Sequence, residues 1–278
     1  MGDQMLVKRV FTAAVGIPFA MYVINLGDWP FFLTVLALAS LAWYEFTAML
    51  RHKNIDLPYG MGIAGIILLL ACAWWGNPAE IQTIILLSVL ITFMRIIFAG
   101  VKFSVVHAAF MIMGILYVGL TFSYLLLLRS IDSGYITTLW GKLPAGAAYL
   151  WLPFIGTWAS DSMAYLVGSQ WGKHKLCPNI SPGKTVEGVL GGVVGSIMAV
   201  AGITYLFQIS TFHGIIIGGL VGIIAPLGDL AESAIKRFTG VKDSGRLLPG
   251  HGGVLDRFDS ILFVVPFVYY YTYYFMLR

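Results

Sequence analysis

Two cysteines in 278 residues are too few for a disulfide framework or a cysteine metal site, and Cys72 lies in an apolar run while Cys177 lies in a polar stretch. Charge is equally scarce. Asp, Glu, Lys and Arg together make up 11% of the chain, against 59% hydrophobic residues and a mean hydropathy of +0.85. A soluble core cannot absorb that much apolar surface, which excludes the ordinary soluble classes. There is no tandem repeat, no low-complexity tract, and no composition shift marking a soluble domain. A basic stripe with interleaved aromatics is also missing, so the net charge of +4 gives no reason to expect a nucleic-acid partner.

What the chain does have is apolar runs. Crossing ~30 Å of hydrocarbon as a helix takes roughly 17 to 25 residues. Nine candidates are present: about Val10 to Leu26, Phe31 to Leu50, Met61 to Trp75, Ile81 to Ala99, Val105 to Leu128, Ala147 to Gly168, Val189 to Phe207, His213 to Ser233 and Ile261 to Leu277. The third is the shortest. The first follows Lys8 and Arg9, but no small-x-small cleavage site follows near Asn25, so a retained helix is expected rather than a signal peptide. The predicted fold class is all-α, a polytopic integral membrane protein with about nine transmembrane helices. Residues 1–145 would form helices 1–5 and residues 146–278 helices 6–9.

Lys and Arg concentrate in cytoplasmic loops. With the N-terminus inside, 14 of the 17 basic residues fall on the cytoplasmic side, and only Arg129, Lys142 and Arg278 fall outside. This asymmetry supports both the span count and the direction. The polar loops near residues 170 to 187 and 236 to 257 then face the cytoplasm. Acids are nearly absent from the first five spans; Glu45 reads as a helix-end carboxylate at the interface and His107 as a packed interfacial histidine.

The exception to the scarcity of charge runs from Gly228 to Asp259, where 32 positions hold ten of the chain's 30 Asp, Glu, Lys and Arg residues. Ionisable groups at membrane depth cost ~2.5 to 3.5 kcal/mol each on insertion scales, so the default reading of such a cluster is functional. Asp229, Glu232, Ser233, Lys236 and Arg237 fall at i, i+3, i+4, i+7 and i+8, one face of a helix. Pro226 and Gly228 precede them and predict a kink or break. Asp oxygens at such a site would suit a hard cation such as Mg²⁺. Asp256 and Asp259 open the ninth helix, where an acid also suits the helix dipole. Between the two acidic sets, Lys242, Arg246 and His251 alternate with Gly245, Gly250, Gly252 and Gly253. Glycines let backbone amides approach an anion, and cations neutralise phosphate oxygens. Acid for metal plus base for phosphate implies a metal-bound polyphosphate.

The other polar loop carries Ser181, Pro182, Gly183, Lys184, Thr185 and Glu187, then Gly188, Gly191, Gly192 and Gly195. It is not a Walker A site: position 178 is proline and no strand leads in. Ser181, Lys184 and Thr185 near a helix start make an anion cradle instead, and the spaced glycines predict close helix packing. Asp161, near the end of span six, is a candidate third acid; pairing with Lys173 or Lys175 is its bland alternative.

Seventeen positions between Ser233 and Asp259, among them Lys236, Arg237, Lys242, Asp243, Pro249, His251, Gly252, Gly253, Asp256, Arg257 and Asp259, resemble the signature of the phosphatidate cytidylyltransferases, or CDP-diacylglycerol synthases. Asp161-Ser162-x-Ala164-Tyr165, Ser181-Pro182-x-Lys184-Thr185-x-Glu187-Gly188 and Gly228-Asp229-Leu230-x-Glu232-Ser233 look like further blocks of the family, so the similarity covers about residues 157 to 260. Gly183 departs from it, since family members often carry a second lysine there.

The resemblance implies a polytopic enzyme of the cell (inner) membrane that transfers CMP from CTP to phosphatidic acid, releasing pyrophosphate. It implies a metal centre on Asp229 and Asp256, holding Mg²⁺ and in some members a K⁺ companion; Asp161, from its own position, is the candidate further ligand. Lys236, Glu232 and Asp259 join Asp229 and Asp256 as the expected catalytic set. Ser181, Lys184, Thr185, Ser233, Arg237, Lys242, His251 and Arg257 are the expected substrate contacts. The expected partners are CTP, phosphatidic acid and the lipid bilayer, with no nucleic acid, and a homodimer is a compatible assembly. Three rivals share parts of the pattern: a CTP-dependent lipid kinase, a relative acting on ether lipids, and an ion-coupled transporter with a broken helix.

Overall fold

Each of the nine apolar runs folds as one helical rod among the described residues, which are 2–75, 78–245, 247 and 252–277 of this computed structural model, with side chains from residue 14 onward except at 78, 79 and 101. The rods are α1 (Gly2–Leu26), α2 (Asp28–Arg51), α3 (Tyr59–Trp74), α4 (Pro78–Ala99), α5 (Val105–Gly114) continuing through a π turn (Ile115–Leu120) into α6 (Thr121–Arg129), α7 (Ala145–Trp171), α8 (Val186–Leu206), α9 (Thr211–Thr239) and α10 (Leu255–Tyr271). Two short antiparallel hairpins join them, β1 (Tyr135–Thr138) with β2 (Gly141–Pro144), and β3 (Lys175–Cys177) with β4 (Ser181–Thr185). These hairpins add to the all-α expectation.

Five of the rods are long and apolar enough to cross a bilayer on their own: Asp28–Arg51, Glu80–Ala99, Val105–Arg129, Val186–Leu206 and Thr211–Thr239. The chain is a multi-pass membrane protein. In α4 only 11% of the apolar window is buried, and Leu86, Leu90, Phe93 and Phe98 point outward, the pattern of a rod wetted by lipid. By contrast α3, at 16 residues, reaches only ~24 Å at 1.5 Å per residue.

The chain forms two compact units, Met1–Ser130 with Phe238–Arg257, and Ile131–Arg237 with Phe258–Arg278. This differs from a division at residue 145. The polar segment before α10 joins the N-terminal helices because Glu45 of α2 binds it, as described below.

In the first unit, Trp43 and Phe46 of α2 are fully buried and close against glycines: a Cβ at Gly62 or Gly114 would run into the Trp43 ring. The Trp43 indole N–H donates to the Tyr59 carbonyl at 3.2 Å, so the largest core side chain leaves no donor unmet. The π turn lies against α3, where Gly119 would meet Leu69 and Ile66 if it carried a side chain. Arg129, at the end of α6, donates from Nε to the Ile24 carbonyl at 2.7 Å and from Nη2 to the Asn25 carbonyl at 3.3 Å. It thereby caps the last carbonyls of α1.

In the second unit the glycines of α8 set the spacing. A Cβ at Gly188 would meet the Ala164 carbonyl oxygen at 2.9 Å, one at Gly191 the Val167 side chain, and one at Gly192 the Ser160 hydroxyl at 2.9 Å. The small residues therefore serve backbone-close packing of α8 on α7, as their spacing predicts. On its other side α8 receives α9 through Gly218 and Gly222, which seat on Ile197 and Val193. Helix α9 runs through Pro226 without the expected break. Neighbouring helices that grip a rod this closely hold it together where a proline removes one amide from the ladder.

Candidate active site

The end of α7 and the start of α8 are tied together by Glu187. Its carboxylate accepts the backbone amides of Lys173 at 3.1 Å and His174 at 3.2 Å, and it meets His174 Nδ1 at 2.6 Å. Thr185 ends β4 as the N-cap of α8, its hydroxyl accepting the Gly188 amide at 3.1 Å. The residue expected to bind substrate thus has a capping bond of its own, the ordinary use of threonine at a helix start.

This frame opens a cavity of about 460 Å³ within the second unit, lined by Ser160, Asp161, Ala164, Tyr165, Gly168 and Ser169 of α7, Ser181, Gly183, Lys184 and Thr185 of β4, Gly188 and Val189 of α8, and Pro226 and Asp229 of α9. Its size falls in the roughly 300–1,000 Å³ range of small-molecule sites. Of the sequence-predicted residues, Asp161, Ser181, Lys184, Thr185 and Asp229 all meet here. Lys184 extends across it, Nζ lying 2.8 Å from Asp229 Oδ2 and donating to the Pro226 carbonyl at 3.2 Å. Ser233, one turn on, donates to Asp229 Oδ1 at 3.2 Å.

Behind Asp229, Gly228 is pressed against α10. A Cβ there would lie 2.5 Å from the Asp259 carbonyl oxygen and 3.0 Å from Ser260 Cα. Only glycine permits that approach, and it brings Asp259 close enough to interact electrostatically with Asp229, Asp161 and Lys236. Glu232 is fully buried and ion-paired with Lys236 one turn away. Such a pair is stable only while both partners stay, since removing either strands a buried charge. Arg237 donates from Nε to the Ile180 carbonyl at 3.1 Å, bracing the β3–β4 hairpin.

The first unit holds the other acids. Asp256 Oδ2 accepts the backbone amide of Ser244 at 2.9 Å, its hydroxyl at 2.9 Å and the Gly253 amide at 2.8 Å. Lys242 and Arg257 are exposed. His251, like Arg246, Pro249 and Gly250, lies outside the described residues. Glu45, read from sequence as an interfacial helix-end acid, is instead 1% exposed and accepts the amides of Val254 at 2.8 Å and Leu255 at 2.9 Å. The anions approached by Gly245 and Gly253 are therefore carboxylates of the chain itself: a Cβ at either would strike Glu45. Sequence spacing gave no sign of this, because a lone acid near a helix end looks the same wherever its partners lie.

The donors around the cavity fit a hard cation. Asp161, Asp229 and Asp259 offer only oxygen, and the Lys184 ammonium already sits against Asp229 as a positive charge would. Among the described residues no three metal-ligating side chains converge into a ready-made shell. Mg²⁺ does not require one, since it keeps several waters and binds through one or two carboxylates plus substrate phosphates.

Comparison with known proteins agrees with the geometry. The sequence model described as the cytidylyltransferase family matches residues 7–275. The phosphatidate cytidylyltransferase of Bacillus subtilis (strain 168) is 33% identical over 276 residues, covering 95% of this chain and 96% of the relative. Its counterpart in Staphylococcus saprophyticus is 36% identical over 263 residues, covering 93% and 95%, and that of Staphylococcus haemolyticus 33% over 263 residues. On a match of this extent, the chain belongs to the cytidylyltransferase family.

Proposed function

We propose that this protein transfers CMP from CTP to phosphatidic acid, forming CDP-diacylglycerol and releasing pyrophosphate. The observation that carries this reading is the pairing of Lys184 with Asp229 on the wall of a cavity that also holds Asp161 and Ser181. Cation sites and phosphate-binding groups stand side by side there, as a reaction between two anionic phosphates requires.

A phosphomonoester oxygen of phosphatidic acid attacks the α-phosphorus of CTP, and the bond from that phosphorus to the bridging oxygen of the β-phosphate breaks. The attacking oxygen is already ionised near neutral pH, so no general base is needed. Asp229, with Asp161 and Asp259 beside it, would hold Mg²⁺, with K⁺ as a companion ion; Asp256 is assigned to the metal by resemblance alone. Bound Mg²⁺ neutralises triphosphate oxygens and draws charge from the α-phosphorus. Lys184 turns from Asp229 to the substrate phosphate, with Ser181 and the first-turn amides of α8 supporting the same anion. Lys236 and Glu232 keep the acidic face of α9 rigid, while Lys242, Arg257 and His251 offset repulsion between the substrates. Ser233 orients Asp229. We place the N-terminus and the site on the cytoplasmic side of the cell membrane, where acyl chains stay in the inner leaflet and CTP arrives from water. A homodimer is compatible with this arrangement.

The test is purified protein in detergent with Mg²⁺, phosphatidic acid and CTP labelled at the α- or γ-phosphate. Label from the α position should enter lipid, with one pyrophosphate per CDP-lipid. Transfer of the γ label with CDP as product would identify a lipid kinase and overturn the proposal.

A further inference from the structure

The buried acid of α2 has a partner set that the reaction itself does not explain. Glu45 lies deep in the first unit, and each oxygen has a defined load: Oε1 accepts the Val254 amide, and Oε2 accepts the Leu255 amide while lying 3.1 Å from the Ser244 hydroxyl. These amides open α10, where a negative charge also meets the helix dipole. The same Ser244 hydroxyl lies 2.9 Å from Asp256 Oδ2. A hydroxyl has one proton, so it can donate to one carboxylate at a time. Each acid nevertheless keeps two amides of its own: Val254 and Leu255 for Glu45, Ser244 and Gly253 for Asp256.

We propose that Glu45 is a positioning residue for the reaction: from α2 it fixes, through two backbone amides and Ser244, the loop that presents Asp256. A carboxylate with several amide donors is a rigid node, because losing any one bond leaves a buried donor unmet. The glycines at 245 and 253 are part of the same device, since a side chain at either would displace the carboxylate. Glu45 holds the reacting geometry without touching substrate. This inference rests on the reading that Asp256 belongs to the active site.

The experiment compares wild type, Glu45→Gln, Glu45→Asp, Ser244→Ala and Asp256→Asn as purified full-length proteins in detergent. It measures kcat and KM for CTP per monodisperse protein, and amide hydrogen exchange of the segment 242–256. Glutamine keeps the shape but turns an NH₂ toward an amide donor. It should lower kcat about 10- to 100-fold with KM for CTP within about threefold, and speed exchange at Val254 and Leu255. Aspartate, which keeps two acceptors, should recover part of kcat, and Ser244→Ala should lower it less than glutamine does. The inference falls if Glu45→Gln keeps kcat within twofold while Asp256→Asn is inactive. It also falls if activity is lost only in proportion to monodisperse protein, or if exchange is unchanged. If Asp256→Asn turns over like wild type, the assignment of Asp256 fails first and the inference with it.

Discussion

Replacing Lys184 by methionine keeps an unbranched apolar stem and removes the charge. The ion pair with Asp229 is 2.8 Å long with side chains 22% and 36% exposed. It therefore lies nearer the exposed limit, about 0.2–1 kcal/mol, than the buried limit of about 3–5 kcal/mol. Folding stability should fall by no more than about 1 kcal/mol. Function should change far more. A charged hydrogen bond to phosphate is worth about 1.5–3 kcal/mol, which corresponds to a roughly 10- to 150-fold loss in kcat/KM. The divalent cation should respond in the opposite direction. Without the ammonium, Asp229 keeps its full charge for Mg²⁺, and the concentration giving half-maximal activity should drop about two- to fivefold, from about 0.5–1 kcal/mol of released pairing. The assay is steady-state turnover with CTP, phosphatidic acid and Mg²⁺ varied in turn. A variant within twofold of wild type in kcat/KM for both substrates, with an unchanged Mg²⁺ requirement, would refute the role given to Lys184.

Asp229→Asn should abolish Mg²⁺-dependent CDP-lipid formation while the protein still inserts and purifies as a monodisperse species; near-normal turnover would remove the proposed ion site. Gly228→Ala sets a methyl against the Asp259 backbone. Overpacking of this kind costs about 1–3 kcal/mol, so both the thermal midpoint and the activity should fall, and an unchanged midpoint would contradict the close approach of α9 and α10. Arg129→Ala removes the half-buried cap of α1 and should lower stability by about 1–2 kcal/mol, read by thermal unfolding in detergent. Specific activity of the remaining folded protein should be unaltered.

The helices were legible because membrane spans announce themselves by length and hydropathy, and the nine runs match the nine rods within a few residues at most ends. The acids of the second unit were legible for the opposite reason, since Asp161 and Asp229 interrupt otherwise apolar sequence. Lys184 stood out in sequence as the cation of a polar loop, but its partner across the cavity, Asp229, is 45 positions away and nothing local names it. Glu45 was misread on the same ground, its amide donors being 209 and 210 positions distant. Thr185 and Arg237 are expected substrate contacts that also bind the backbone of their own unit, a second use that local composition does not reveal. The expectation at Pro226 was a kink or a break, and α9 is continuous there; the grip of α8 on Gly218 and Gly222 is tertiary and is not legible within one helix.

The distance between Glu45 and its donors also sets a timetable for biogenesis. A ribosome adding about 5–20 residues per second needs roughly 10 to 40 s to make the 210 positions that separate Glu45 from Leu255. Throughout that interval α2 is already available to the insertion machinery, with its carboxylate lacking the amides that will later surround it. The nascent N-terminal bundle must therefore shelter that charge with water, lipid headgroups or a proton until the polar loop before α10 arrives, and its final tightening waits for that loop.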